Sequence, residues 1–133
     1  MLPLGEVDDL PRDVLAMLDR VFAAMATEPF DLAFNRLYNA ELRGCTMSSH
    51  VCAFQETLRR CVLASGLSLP QYTFRPHVSL SYKDVPEQNI VIPPIGWRVN
   101  EVLLIVSHHG KGKHNTLGRW SLISRQMALP FAA

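Results

Sequence analysis

Apolar and polar positions along the chain predict two helices and several strands. Leu10, Val14, Met17, Leu18, Val21 and Met25 recur at the three-and-four spacing of an amphipathic helix. Pro11 suits the first turn of that helix, where its missing N–H costs nothing, and Pro29 lies just past its end. Val51, Phe54, Leu58, Cys61 and Val62 mark one face of a second helix, with Ser48 or Ser49 as its cap and Gly66 as its stop. Phe30, Leu32 and Phe34 alternate with Asp31, Ala33 and Asn35, the pattern of a half-buried strand over 30–37. Residues 42–47 and 116–124 read as further strands, and EVLLIVS at 101–107 reads as a strand covered on both faces. Pro93, Pro94 and Gly96 mark a loop.

The strand at 73–82 has the most unusual pattern. Within FRPHVSLSY the even positions are Phe74, Pro76, Val78, Leu80 and Tyr82, and the odd positions are Arg75, His77, Ser79 and Ser81. Side chains alternate between the two faces of a strand, so one face is apolar and the other wholly polar. A merely wet face usually carries Lys, Glu and Thr. An arginine, an imidazole and two hydroxyls instead make a kit for handling an anion. Imidazole moves protons near neutral pH, hydroxyls donate to phosphate oxygens, and a guanidinium adds a fixed charge with fork geometry.

The element order predicts an α+β fold of mostly antiparallel sheets with helices packed on one side. At 133 residues, residues 1–133 are expected to form one domain with a real core. A formal charge of +1 gives no global field for nucleic acid, so contact with a polyanion requires a local groove. No basic-then-apolar segment resembles a signal peptide and no apolar run approaches membrane-spanning length, and a cytoplasmic protein is expected. Cys45, Cys52 and Cys61 are odd in number and lack Cys-x-x-Cys spacing, which argues against a disulfide framework or a zinc site. Cys52 and Cys61 read as buried helical thiols. His108, His109 and His114 follow no ligand spacing and read as incidental to a polar turn. Lys111 and Lys113 make that turn basic, and Trp120 reads as core.

The run Arg75-Pro76-His77-Val78-Ser79-Leu80 resembles the second signature motif of the two-histidine (2H) phosphoesterases, His-x-Thr/Ser followed by an apolar residue. Ala64-Ser65-Gly66, the stretch Val99 to Ser107, Arg119-Trp120-Ser121-Leu122 and Leu4-Gly5-Glu6-Val7 extend the resemblance over nearly the whole chain. This superfamily includes RNA 2′,3′-cyclic phosphodiesterases, long called 2′-5′ RNA ligases. The resemblance implies a bilobal fold with helices on the outer face of antiparallel sheets. It also implies hydrolysis of a 2′,3′-cyclic phosphate at an RNA end or on a nucleotide, with no metal or cofactor, and a possible reverse ligation. His77 and Ser79 would be catalytic, Ser81 would bind substrate, and Arg75 would either bind substrate or make a structural ion pair.

The family uses two such motifs, and this chain has one in place. His114-Asn115-Thr116 spells His-x-Thr but is expected in a turn. By the family's spacing Met1 falls at the close of the first motif, so an N-terminally incomplete fold is expected, with weak activity for this chain alone. An exposed sheet edge would then allow a homo-oligomer. The alternatives are a non-catalytic module of the same fold that binds a nucleotide or RNA phosphate, and a plain interaction protein.

Overall fold

A computed structural model describes residues 2–7, 10–44, 49–81, 83–108 and 113–123. In these the order is α1 (Val14–Met25), β1 (Phe30–Tyr38), β2 (Glu41–Arg43), α2 (Ser49–Ala64), β3 (His77–Ser79), β4 (Asn89–Val99), β5 (Glu101–His108) and β6 (Lys113–Ser121). The strands form an antiparallel four-stranded sheet in the order β3-β2-β1-β4 and a β5–β6 hairpin. This is the α+β class that the patterning predicts.

Helix α1 begins later than its periodicity suggests. Leu10 and Pro11 lie in the turn ahead of it, where the Pro11 carbonyl accepts the Val14 N–H. At its other end Ala26 takes a left-handed conformation (φ 46°) and its N–H reaches the Phe22 carbonyl. Helix α2 stops where expected, because Gly66 adopts φ 103°, a region open to glycine at little cost. Of its two candidate caps, Ser48 lies outside the described residues and Ser49 is the first helical residue.

Val14, Met17, Leu18 and Val21 of α1 pack with Leu58 and Val62 of α2 and with Leu67. Val62 is wholly buried, which stabilises the fold by about 1.5–3 kcal/mol. Leu104 and Trp120 close this core from the hairpin. Trp120 stacks on Phe22 at 4.7 Å, and its indole N–H donates to Asp19 Oδ1 at 2.7 Å. Cys52 and Cys61 are half-buried rather than buried, because both lie at the margin of the α2 apolar face.

The largest correction concerns residues 89–99. The expected loop at Pro93, Pro94 and Gly96 is the long strand β4. As an edge strand it tolerates prolines, whose missing N–H groups need not serve a second neighbour. Its register against β1 steps from Phe34↔Ile95 to Arg36↔Val91, so residues 92–94 bulge opposite Asn35. Gly96 lies opposite Ala33, where an added Cβ would stand 2.6 Å from the Leu32 carbonyl oxygen and 3.0 Å from Ala33 Cβ. Gly96→Ala is expected to lower stability by about 1–3 kcal/mol, because backbone rather than a flexible side chain must move. Urea unfolding checks this, and an unchanged midpoint would contradict the packing.

Three further strand readings are corrected. β5 is covered unequally on its two faces: Leu104 packs on the core while Leu103 is 42% exposed. The final strand runs from Lys113 to Ser121, starting three residues earlier than expected, so His114 lies in a strand and not in a turn. The strand expected at 42–47 is Glu41–Arg43, and residues 45–47 of it lie outside the described residues, as do Cys45, His109 and Lys111. Among the described residues no helix is long and apolar enough to cross a membrane.

Candidate active site

Strand β3 is much shorter than the 73–82 expected from its alternation. It pairs with β2 only at Arg43↔His77, Leu42↔Val78 and Glu41↔Ser79. Pro76 explains the start, since it cannot supply a ladder N–H. Beyond Ser79 the Leu80 N–H still reaches the Ala40 carbonyl at 2.8 Å. The chain then turns at Ser81, whose Oγ accepts the Lys83 N–H at 3.1 Å.

The alternation survives in the paired residues. His77 and Ser79 are exposed, and Val78 between them is half-buried. Directly opposed residues of an antiparallel pair share a face. His77, Arg43 and Arg36 therefore form one cross-strand row, and Ser79, Glu41 and Tyr38 form the next, ending at Asn89 on β4. The opposite face carries Val78, Leu42, Leu37 and Ile90. Leu42 is 8% exposed and belongs to the buried side of the sheet.

Side-chain contacts agree with this assignment of faces. Arg43 forms an ion pair with Glu41 at 3.0 Å, and its guanidinium lies 3.9 Å above the centre of the Tyr38 ring. Arg36 donates to Asn89 Oδ1 at 2.6 Å. The turn joining β1 to β2 is held by Asn39 (φ 50°), whose Oδ1 accepts the Gln88 N–H at 3.1 Å. Tyr38, Glu41, Arg43, Ser79 and Ser81 line an open hollow of about 410 Å³ on this side of the sheet.

His77 Nδ1 lies 2.8 Å from the Arg75 carbonyl oxygen. A carbonyl oxygen only accepts, so Nδ1 carries a proton in this contact, and Nε2 is left as the nitrogen that can exchange a proton with a ligand. Arg75 and Ser79 are exposed and Ser81 is half-buried. Arg75 makes no ion pair among the described residues. The sequence-predicted residues 77 and 79 thus stand side by side. The accompanying Arg43, Arg36, Glu41 and Tyr38 escaped sequence reading because only strand pairing brings them to this face.

His114 and Thr116 are exposed on β6, opposite Ser107 and Ile105. They sit on the separate hairpin and not on the sheet that carries His77.

No family model matches the sequence, and no curated protein matches it. Solved structures do resemble it. Escherichia coli LigT complexed with 3′-AMP is 18% identical, with a TM-score of 0.63 over 92% of this chain and 76% of that one. A structure described as a phosphoesterase is 20% identical, with a TM-score of 0.64 over 92% of this chain and 77% of that one. A Thermus thermophilus protein is 21% identical, with a TM-score of 0.60 over 90% of this chain and 74% of that one. The chain shares the fold of these LigT and phosphoesterase structures, the fold that the run Arg75–Leu80 implied.

Proposed function

We propose that the chain is a 2H-type phosphodiesterase whose His77 and Ser79 act on a 2′,3′-cyclic phosphate at an RNA end or on a nucleotide. The observation that carries this reading is the adjacent, exposed placement of His77 and Ser79 on β3, with Nδ1 of the ring occupied by the Arg75 carbonyl. The LigT-like fold, seen in a protein complexed with 3′-AMP, supports it.

In the reaction a water oxygen attacks phosphorus and one phosphorus–ribose oxygen bond breaks. One imidazole takes the proton of the water, and a second gives a proton to the departing ribose oxygen. His77 Nε2 serves as one of these two groups. The Ser79 hydroxyl donates to a non-bridging phosphate oxygen, where it stabilises charge that grows in the transition state. Arg75 adds positive charge near the phosphate, and Ser81 lines the hollow beside it. When a 5′-hydroxyl attacks in place of water, the phosphorus–O3′ bond breaks, O3′ takes the proton and a 2′-5′ phosphodiester forms.

A second reading, a nucleotide-binding module without chemistry, is favoured by one observation. The residues paired in register with His77 and Ser79 on this face include no other imidazole. Incubation with 2′,3′-cyclic AMP separates the two. The enzyme reading expects hydrolysis that falls about 10²-fold in Ser79→Ala, the typical loss of one transition-state donor. The module reading expects 3′-AMP binding with no turnover. Failure to bind or hydrolyse either nucleotide overturns both.

A further inference from the structure

We propose that Arg36, with Arg43 between it and His77, forms a second anion subsite that takes the next phosphate of an oligonucleotide. This rests on the reading of His77 and Ser79 as the first phosphate site. Arg36 is opposite Arg43, which is opposite His77, so the three side chains cross three adjacent strands on one face. Strands lie about 4.8 Å apart, which puts Arg36 roughly 10 Å from His77 at the backbone.

Like charges set directly opposite each other on a sheet repel. In this row the repulsion is only half relieved. Glu41 compensates Arg43 at 3.0 Å. Arg36 instead donates to the neutral amide of Asn89, and among the described residues no carboxylate lies within ion-pair distance of it. Its guanidinium is therefore held in place but not neutralised. Arg60, Arg98 and Arg119 each have an acidic partner, whereas Arg36, like Arg75 beside the first site, has none among the described residues. A planar fork fixed by one hydrogen bond, with donors to spare, fits a phosphodiester group. The chemistry recognised is a chain of phosphates one nucleotide apart, not a lone mononucleotide.

The test compares 3′-AMP with the dinucleotide ApAp, which ends in a 3′-phosphate and carries one internal phosphodiester. Titration calorimetry of the full chain measures both affinities. Wild type is expected to prefer ApAp. Arg36→Gln is expected to reduce the ApAp/3′-AMP affinity ratio about tenfold, the scale of one charged hydrogen bond. It should also flatten the salt dependence of ApAp binding by about one phosphate contact. Arg119→Gln, on the separate hairpin, should leave the ratio at its wild-type value, and circular dichroism reports whether each variant folds. An unchanged ratio in folded Arg36→Gln overturns the subsite while the first phosphate site stands. Absence of 3′-AMP binding by wild type overturns the first site instead. Should ApAp then still bind in an Arg36-dependent way, the basic row is retained as a phosphodiester site.

Discussion

Replacing His77 by alanine is expected to lower hydrolysis of 2′,3′-cyclic AMP by about 10²- to 10⁴-fold, the range for loss of one positioned acid or base. The physical reason is specific to one atom. Nδ1 is engaged by the Arg75 carbonyl at 2.8 Å, so Nε2 alone remains to exchange a proton with substrate or water. The ring is exposed on an edge strand, and its removal leaves no cavity. Stability is therefore expected to change by less than about 0.5 kcal/mol, as for most surface substitutions. Product formation followed by chromatography, with thermal unfolding of both proteins, checks the pair of expectations. Robust turnover that survives His77→Ala would move the chemistry elsewhere on the fold. In the binding-only reading wild type shows no turnover, and the same substitution appears as weaker 3′-AMP binding.

The second large effect is structural. Phe34→Ala is expected to destabilise the protein by about 3–5 kcal/mol, the usual cost of truncating a buried phenylalanine. Phe34 is 2% exposed and lies at the centre of β1, with its ring 5.7 Å from that of Trp97 on β4. A domain of this kind has about 5–15 kcal/mol in total, so this one change removes a large share. The effect reaches the candidate site because β1 is the strand on which β2 is aligned, and β2 in turn aligns β3. Chemical denaturation gives the stability change directly. A loss below 1 kcal/mol would show that the β1–β4 interface is less tightly packed than its burial indicates.

The Gly96 and Phe34 predictions together test the part of the fold that sequence patterning misread. Pro93, Pro94 and Gly96 are turn signals when read locally, yet they sit in an edge strand. The proline positions are absorbed by a bulge opposite Asn35, and Gly96 is small because a backbone carbonyl crosses beside it. Local rules report what a residue prefers in isolation. An edge position changes the cost of a missing N–H, and that change comes only from the neighbouring strand.

The amino-acid sequence by itself determined both helices, the β1 strand and the polar alternation that sets His77 beside Ser79, because these depend on periodicity within a single segment. The motif residues 75–80 also carried the resemblance that implied a LigT-like fold, and that fold is the one observed. Tertiary structure alone decided that β3 spans three residues, that its Nδ1 is committed to a backbone carbonyl, and that Arg43 and Arg36 continue the row begun by His77. Cross-strand register joins residues about 40 positions apart in the chain, and no pattern along one strand encodes which residue of another will lie opposite it.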